Sequence, residues 1–234
     1  MSDEGSGAGT DSRQAGQRLR DSLVVLLAVE AGVVNVTSFL VLGKVFSSVI
    51  TGNLVVLGMA AATVQPGLAL RSGLALAGYS AGVLIGVLIT ARGRRQLWPP
   101  AVTAALCAEL CPLLGFTVCW EASGRRGSWQ IALLILLAVA MGVQSAAVSR
   151  LGRMSATYLT GTLTGTLTAL ITRSRPAGLW RDVGVVVAVA VGAGAGAVLI
   201  RLAPSWLPAL VLLPLSAVIA AAGVFRRSTA TSGN

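Results

Sequence analysis

The chain has 234 residues, 55% of them hydrophobic and 11% charged, with a mean hydropathy of +0.81. A soluble domain carries roughly 25% charged residues, so a water-soluble globular fold is excluded. The net charge of +10 does not indicate nucleic acid either: the basic residues line no continuous face but stand in short clusters between apolar runs, where they meet anionic headgroups.

Residues 1–22 are polar and rich in Gly and Ser, and end in the basic stretch Arg13 to Arg20. This composition predicts a disordered cytoplasmic tail. No apolar stretch opens it and no small-residue cleavage site precedes the first hydrophobic run, so a cleaved signal peptide is not expected.

Eight apolar segments follow, near Leu23–Leu42, Phe46–Val64, Ser72–Ala91, Ala101–Trp120, Ile131–Val148, Ser155–Thr172, Val183–Leu202 and Trp206–Phe225. Each is roughly long enough to be weighed as a bilayer span. Their connections are short and rich in Pro, Gly and Arg. Trp98, Trp120, Trp129, Trp180 and Trp206 all fall close to segment ends, where an amphipathic indole sits best. The fold class this predicts is all-α: a polytopic transmembrane helical bundle with six to eight of the segments spanning.

The chain also repeats. Leu27-Ala28-Val29 with Gly32-Val33 recurs as Leu137-Ala138-Val139 with Gly142-Val143. Leu42-Gly43-Lys44 recurs as Leu151-Gly152-Arg153, and Thr51-Gly52-Asn53-Leu54 as Thr160-Gly161-Thr162-Leu163. Gly82 and Gly86 match Gly192 and Gly196. The near-constant interval reads as a tandem duplication, residues 23–120 and 131–225, with 226–234 a polar C-terminal tail. If all eight segments cross, the halves are parallel, and with the N-terminus inside Lys and Arg divide eleven inside to seven outside. If segments two and six fail to cross, the halves are inverted and the division is thirteen to five. The charge rule favours the second arrangement, and the length of Phe46–Val64 the first.

Segments two and six are the polar ones. Ser47, Ser48, Thr51, Gly52 and Asn53 stand in one; Ser155, Thr157, Thr160, Gly161, Thr162, Thr164, Thr166 and Thr168 in the other. Hydroxyls in hydrocarbon either bond their own helix carbonyls or face protein or water. Two helices interrupted at matched positions are a pointer to a solute site. Asn35, Thr37 and Ser38 on segment one correspond to Gln144 and Ser145 on segment five, and offer either a polar path or interhelical hydrogen bonds. The expected substrate pathway is therefore Asn35, Ser38, Thr51, Gly52, Asn53, Gln144, Ser145, Thr160, Gly161 and Thr162. Glu30 and Glu109 are the acidic residues well inside a segment. A charge there costs at least about 2.5 kcal/mol, so each is a candidate proton- or ion-coupling group.

Catalytic residues, cofactors and metals are not expected. His is absent, Cys107, Cys111 and Cys119 sit in an apolar run, and no nucleophile elbow or P-loop occurs. An enzyme is accordingly not predicted.

The run from Gly32 through Asn35, Thr37, Ser38, Phe39 and Gly43-Lys44-Val45-Phe46 to Ile50-Thr51-Gly52-Asn53 resembles the YoaK family (DUF1275) of bacterial membrane proteins of unknown function. The stretch Met141-Gly142-Val143-Gln144-Ser145 through Tyr158-Leu159-Thr160-Gly161-Thr162-Leu163 is similar to that family's second block. In the family's pattern an Asp usually stands where this chain has Asn35, and an Asn often where it has Ser145, which shifts weight for proton or cation handling to Glu30. The resemblance implies a multi-pass protein of six or more helices in the bacterial inner (cytoplasmic) membrane, and implies no substrate. The function expected is a transporter or channel-like permease for a small solute or ion. The alternative is a non-transporting scaffold or sensor that binds a protein or lipid. The expected partners are the bilayer, a small solute or ion, and optionally further copies of the chain in a homo-oligomer; nucleic acid is not one.

Overall fold

The computed structural model describes residues 4–91, 98–123, 129–151 and 179–231, with 161, 164, 165, 168 and 171 from the stretch between the last two. Seven α-helices are present among the described residues, and no strand: α1 (Glu4–Val41), α2 (Ile50–Ala62), α3 (Pro66–Thr90), α4 (Pro100–Ser123), α5 (Gln130–Ser149), α6 (Leu179–Leu202) and α7 (Leu207–Thr231). A 3₁₀ turn, Pro204–Trp206, leads into α7. Helices are what an apolar chain must form where no water can satisfy its backbone. Prolines mark the starts of α3 and α4, where a missing N–H costs nothing.

Six stretches, Gly16–Val41, Pro66–Thr90, Pro100–Ala122, Gln130–Ser149, Trp180–Leu202 and Pro204–Val224, are long and apolar enough to cross a membrane. The second predicted segment is not among them. Its helix has 13 residues, which at 1.5 Å per residue is about 20 Å, short of a hydrocarbon core of about 30 Å. The sixth predicted segment, Ser155–Thr172, lies outside the described residues except for the five isolated positions. The polar stretch expected as a disordered tail is also different: α1 runs back through it to Glu4. Once the apolar turns are formed, adding helix needs only propagation, and Asp21 is held by Arg20 (3.3 Å) and by Arg181 of α6 (3.9 Å).

Two helix pairs form the frame, and both are sealed by backbone contact. Between α1 and α6, a Cβ at Gly192 would fall 2.1 Å from the Val29 carbonyl oxygen, and one at Gly32 would fall 2.2 Å from that of Val189. Between α3 and α5, a Cβ at Gly82 would fall 2.1 Å from the Val139 oxygen, and one at Gly142 would fall 2.2 Å from that of Tyr79. Along both seams the numbering rises together, from Val25 on Gly184 to Val36 on Gly196, and from Ile135 on Gly78 to Ala146 on Gly86. Each pair is therefore parallel, and small residues let its backbones touch.

Contacts at the helix ends set the remaining directions. Arg20 Nη1 donates to the Leu151 carbonyl just beyond α5, so the start of the apolar part of α1 lies beside the end of α5. At the other end, Gly43 (φ +116°) lies under the Arg71 side chain, which would be 2.5 Å from a Cβ, and Arg71 Nη2 donates to Gln130 Oε1 (3.2 Å) at the start of α5. Arg150 Nη2 bonds the carbonyls of Thr90 and Ala91, joining the ends of α5 and α3. Trp120 Nε1 donates to the Pro204 carbonyl (3.2 Å), joining the end of α4 to the start of α7. Hence α1 and α6 run one way and α3 and α5 the other. The chain leaves α1 and enters α3 at one end of the bundle, and leaves α5 and enters α6 at the opposite end. The arrangement with eight crossings, in which α1 and α5 would be parallel, is incompatible with these contacts.

Leu106, Leu113, Phe116, Leu134, Leu137 and Leu215 fill the centre, while Leu84, Leu88 and Val191 lie on the outer surface. An apolar exterior of this kind is a lipid-facing one. Trp129, Trp180 and Trp206 are exposed near helix ends as expected. Trp98 and Trp120 are instead packed inward, with their indole N–H groups bonded to Thr103 Oγ1 and to Pro204.

The seams predict a matched pair of outcomes. Gly82→Ala and Gly192→Ala should each destabilise the protein by about 1–3 kcal/mol, the usual range for overpacking. Gly194→Ala, where a Cβ meets nothing within 4 Å, should be neutral or slightly stabilising through helix propensity. Thermal melting in detergent, followed by tryptophan fluorescence, measures all three. Equal melting curves would show that the backbones do not touch.

Candidate functional site: an acidic pair bridged by one amide

Three helices bring one polar side chain each to the centre. On α1 the buried face runs Leu23, Leu27, Glu30, Val34, Thr37 and Ser38; on α4 it runs Leu106, Glu109, Leu113, Phe116 and Trp120; on α5 it runs Leu137, Met141, Gln144 and Val148. This three-and-four spacing is the apolar stripe of a core-facing helix, so Glu30, Glu109 and Gln144 are carried inward by the residues around them. Glu30 and Glu109 are 0% exposed and Gln144 is 6% exposed.

Gln144 Nε2 donates to Glu30 Oε2 (3.1 Å) and to Glu109 Oε1 (3.0 Å). The amide thus spends one hydrogen on each carboxyl group and holds the two side by side. The other oxygens, Glu30 Oε1 and Glu109 Oε2, are buried and have no further partner among the described residues. Two carboxylates at this depth repel in a weakly screening medium. No Lys or Arg lies within the central turns of any described span, and the chain has no His. Among the described residues nothing supplies a positive charge to the pair. Pro112, three residues after Glu109 in α4, adds a polar feature beside it, since it has no N–H to offer the Ala108 carbonyl.

The other predicted residues form a second, separate cluster that bonds the chain to itself. Asn35 Oδ1 accepts from Ser48 N (3.1 Å) and Ser47 Oγ (3.3 Å), and its Nδ2 donates to Ser48 Oγ (2.7 Å) and the Ala31 carbonyl (2.9 Å). Asn53 makes a two-way bond with Phe46, accepting from its N–H (2.9 Å) and donating to its carbonyl (2.6 Å). Ser72 Oγ of α3 bonds the Asn53 carbonyl at 2.7 Å. Phe39 stacks on Phe46 at 5.0 Å, and Lys44 Nζ lies 5.2 Å from the centre of the Phe39 ring. Together these fold residues 42–49 back against α1 and begin α2 only at Ile50. Asn35 is about 7.5 Å along α1 from Glu30 and turned to another face of the helix.

Of the remaining pathway residues, Ser38 is buried and donates to the Val34 carbonyl (3.0 Å), as Thr37 does to Val33 (2.7 Å). Thr51 is exposed on α2. Gly52 packs on Val49 and Phe46, where a Cβ would come within 3.2–3.5 Å. Ser145 is half-buried beside Gln144. Gly161 is exposed, with nothing within 4 Å of a Cβ position; Thr160 and Thr162 lie outside the described residues. In the same stretch Thr168 Oγ1 bonds the Thr164 carbonyl (2.9 Å). The structure thus joins Glu30, Glu109 and Gln144, and uses Asn35 and Asn53 elsewhere. Sequence pattern paired Gln144 with Asn35; the signal for its actual partners was that all three residues replace an apolar side chain on an otherwise apolar stripe. No group of three or more His, Cys, Asp or Glu that could hold a metal occurs among the described residues.

A family profile described as "Protein of unknown function (DUF1275)" matches residues 23–223. The chain belongs to the DUF1275 family. Within that matched range lie the acidic pair, the bridging amide and both asparagine clamps. The chain is also 39% identical over 147 residues to the UPF0700 transmembrane protein YoaK of Bacillus subtilis (strain 168). That match covers 62% of this chain and 64% of the relative, just under two thirds of its length. No solved structure matches. With six apolar spans and a transmembrane relative, this DUF1275 member is a multi-pass integral membrane protein.

The clamp has a direct test. Asn53→Ala strands the N–H and carbonyl of Phe46, and each buried unsatisfied group costs about 1–3 kcal/mol. The expected result is a lower melting temperature and faster proteolysis within residues 42–49, with Thr51→Ala close to wild type. If both variants resist protease equally, the clamp is not what holds this connection.

Proposed function

We propose that the protein is a permease, a transporter or channel-like path for a small solute or ion, and that Glu30 and Glu109 bind the coupling cation. The observation that carries this reading is a buried pair of acids at the bundle centre with one oxygen of each uncommitted. Intramembrane ionisable residues are costly, and function is the usual reason that they are kept. Their placement supports it further: Glu30 belongs to the α1–α6 pair and Gln144 to the α3–α5 pair, so the polar centre lies where two sealed units meet. On this reading the protein is not an enzyme.

The proposal includes a duplicated, inverted architecture. Gly82 on Val139 and Gly192 on Val29 are the same contact displaced by the repeat interval, as are Gly142 on Tyr79 and Gly32 on Val189. Arg71 to Gln130 and Arg181 to Asp21 correspond to within one residue. Inverted repeats with a site at their interface are a recurring plan of secondary transporters. Assigning each connection to the bundle end that its flanking helices reach, thirteen of the eighteen Lys and Arg residues fall at the end holding the start of α1. The positive-inside rule then sets both termini in the cytoplasm of a bacterial inner membrane. In a cysteine-free background, Cys at Arg20 and Arg150 should resist an impermeant maleimide in whole cells while Cys at Lys44 and Arg71 reacts; the reverse pattern would invert the orientation.

One observation favours a second reading, a non-transporting scaffold or sensor for a protein or lipid: the hydroxyls of Thr37, Ser38, Thr90 and Thr117 all bond carbonyls of their own helices. A flux screen in proteoliposomes, run over inorganic ions and small metabolites with an imposed pH gradient, separates the two. Permeation predicts that at least one solute moves, and that Glu109→Gln and Gln144→Leu each cut its flux about tenfold or more, the equivalent of one charge-assisted hydrogen bond. No flux for any solute, or flux that both variants leave intact, would remove the permease reading.

A further inference from the structure

We infer that the Glu30–Gln144–Glu109 cluster is a proton site, holding one proton shared between its two carboxyl groups, and that it does not bind a metal cation. The inference rests on the permease reading for what the proton does, and on the geometry alone for whether the proton is held.

A carboxamide nitrogen carries two hydrogens, and Gln144 gives one to Glu30 Oε2 and one to Glu109 Oε1. That leaves Glu30 Oε1 and Glu109 Oε2, both fully buried and otherwise unpartnered. A hard metal cation takes about six or more oxygen ligands, and among the described residues the site offers these two and the Ala108 carbonyl amid Leu27, Val33, Val34, Leu106, Leu113 and Met141. A proton needs only two. Placed between the carboxyl groups, it turns two mutually repelling acceptors into an O–H···O⁻ bond, which is short and strong when one partner is charged. The single remaining negative charge is then spread over two groups and met by both N–H bonds of Gln144. Arg18, Arg20, Asp21, Arg71, Glu121, Arg181, Asp182 and Arg201 stand near the ends of the described spans; away from those ends the other titratable side chains are Tyr79 on α3 and Cys107, Cys111 and Cys119 on α4. The central turns of α1, α5, α6 and α7 bring no Lys, Arg or further acid toward the pair, and His is absent.

The location gives the proton a consequence. Glu30 is fixed to α6 through its own helix by the Gly32 and Gly192 seam, and Gln144 to α3 by the Gly82 and Gly142 seam. A displacement of one sealed pair against the other must break the Gln144 bond to Glu30, and would leave an unpaired charge in hydrocarbon unless proton occupancy changed with it. Occupancy and conformation are therefore linked, each biasing the other by the same free energy. Gln144 is a positioning residue in this scheme, acting through the bonds that it gives the two acids.

Infrared spectroscopy of the full chain in lipid nanodiscs tests this without any substrate. Wild type minus the Glu30→Gln/Glu109→Gln double variant, at neutral pH, should show the C=O stretch of about one protonated carboxyl per chain, the single proton that an acid pair of this kind shares. The band should shift in D₂O and should be indifferent to added sodium or potassium chloride. Gln144→Leu should keep the band and move its frequency, because the hydrogen bond that the Gln144 amide donates to it is lost. A difference spectrum with carboxylate bands only, or a carboxyl band that either salt titrates away at constant pH, overturns the inference, and the salt titration is read on wild type alone, whether or not the double variant folds well. The outcome is separable from permeation: the band without flux of any solute supports the proton site and rejects the permease, whereas flux without the band does the reverse.

Discussion

Where α1 crosses α6, and again where α3 crosses α5, backbone lies on backbone with no side chain between them. Most of the architecture follows from those two contacts. In lipid there is little hydrophobic drive to bring helices together, because the tails are as apolar as the side chains; close packing has to supply it. Gly32 with Gly192 and Gly82 with Gly142 provide that packing over long seams, and each seam also fixes direction, since its contacts rise in register along both helices. With two parallel pairs fixed and antiparallel to one another, α4 and α7 have only the flanks left to occupy. The short α2 then has no crossing to make.

The polar groups sort themselves by what the seams leave them. Hydroxyls on the long helices reach their own carbonyls, as Thr37, Ser38, Thr90 and Thr117 do, at little cost to the helix. The asparagines are too short to span helices in the core but are suited to binding exposed backbone, and Asn35 and Asn53 do so at residues 46–48. Among the described residues, Glu30 and Glu109 find no backbone partner. They are left to the one long amide that can reach both, and that amide is too weak a donor to balance two charges.

The helices were legible in the sequence because span length and apolar composition are properties of contiguous residues, and six of the eight predicted segments match described helices to within six residues at each end. Two features were not legible. The extent of α2 was hidden because Phe46–Val64 is apolar and long enough to cross; what cuts it short is Asn53 reaching back seven positions to Phe46 and Asn35 reaching Ser48 across the turn, and composition is blind to such reach. The acidic pair was hidden in a different way. Glu30 and Glu109 were each visible as anomalies, but α1 and α4 are far apart in the chain, and only the way the pairs pack decides whether two anomalies meet. Gln144 and Ser145 were grouped with Asn35, Thr37 and Ser38 as polar residues at corresponding places, whereas the bonds of Gln144 run to acids with no acidic counterpart.

That mismatch bears on how the molecule would work. At the repeat interval, Glu30 falls on Ala140, Glu109 on Ile219 and Gln144 on Val34, none of which can take a proton or give an amide hydrogen. On the proposed duplication the seams obey the repeat, and the chemistry does not. A symmetric frame whose two halves have the same packing can exist in two conformations of similar energy, because exchanging the environments of the halves produces the same contacts in mirrored roles. A frame of that kind alone would have no preference between the two. An acid pair on one side of it supplies the preference: with both acids in one half and the amide in the other, the two conformations differ in how well a carboxylate is satisfied, and that difference is set by a proton. The asymmetry of the site is then what allows the symmetry of the scaffold to be driven.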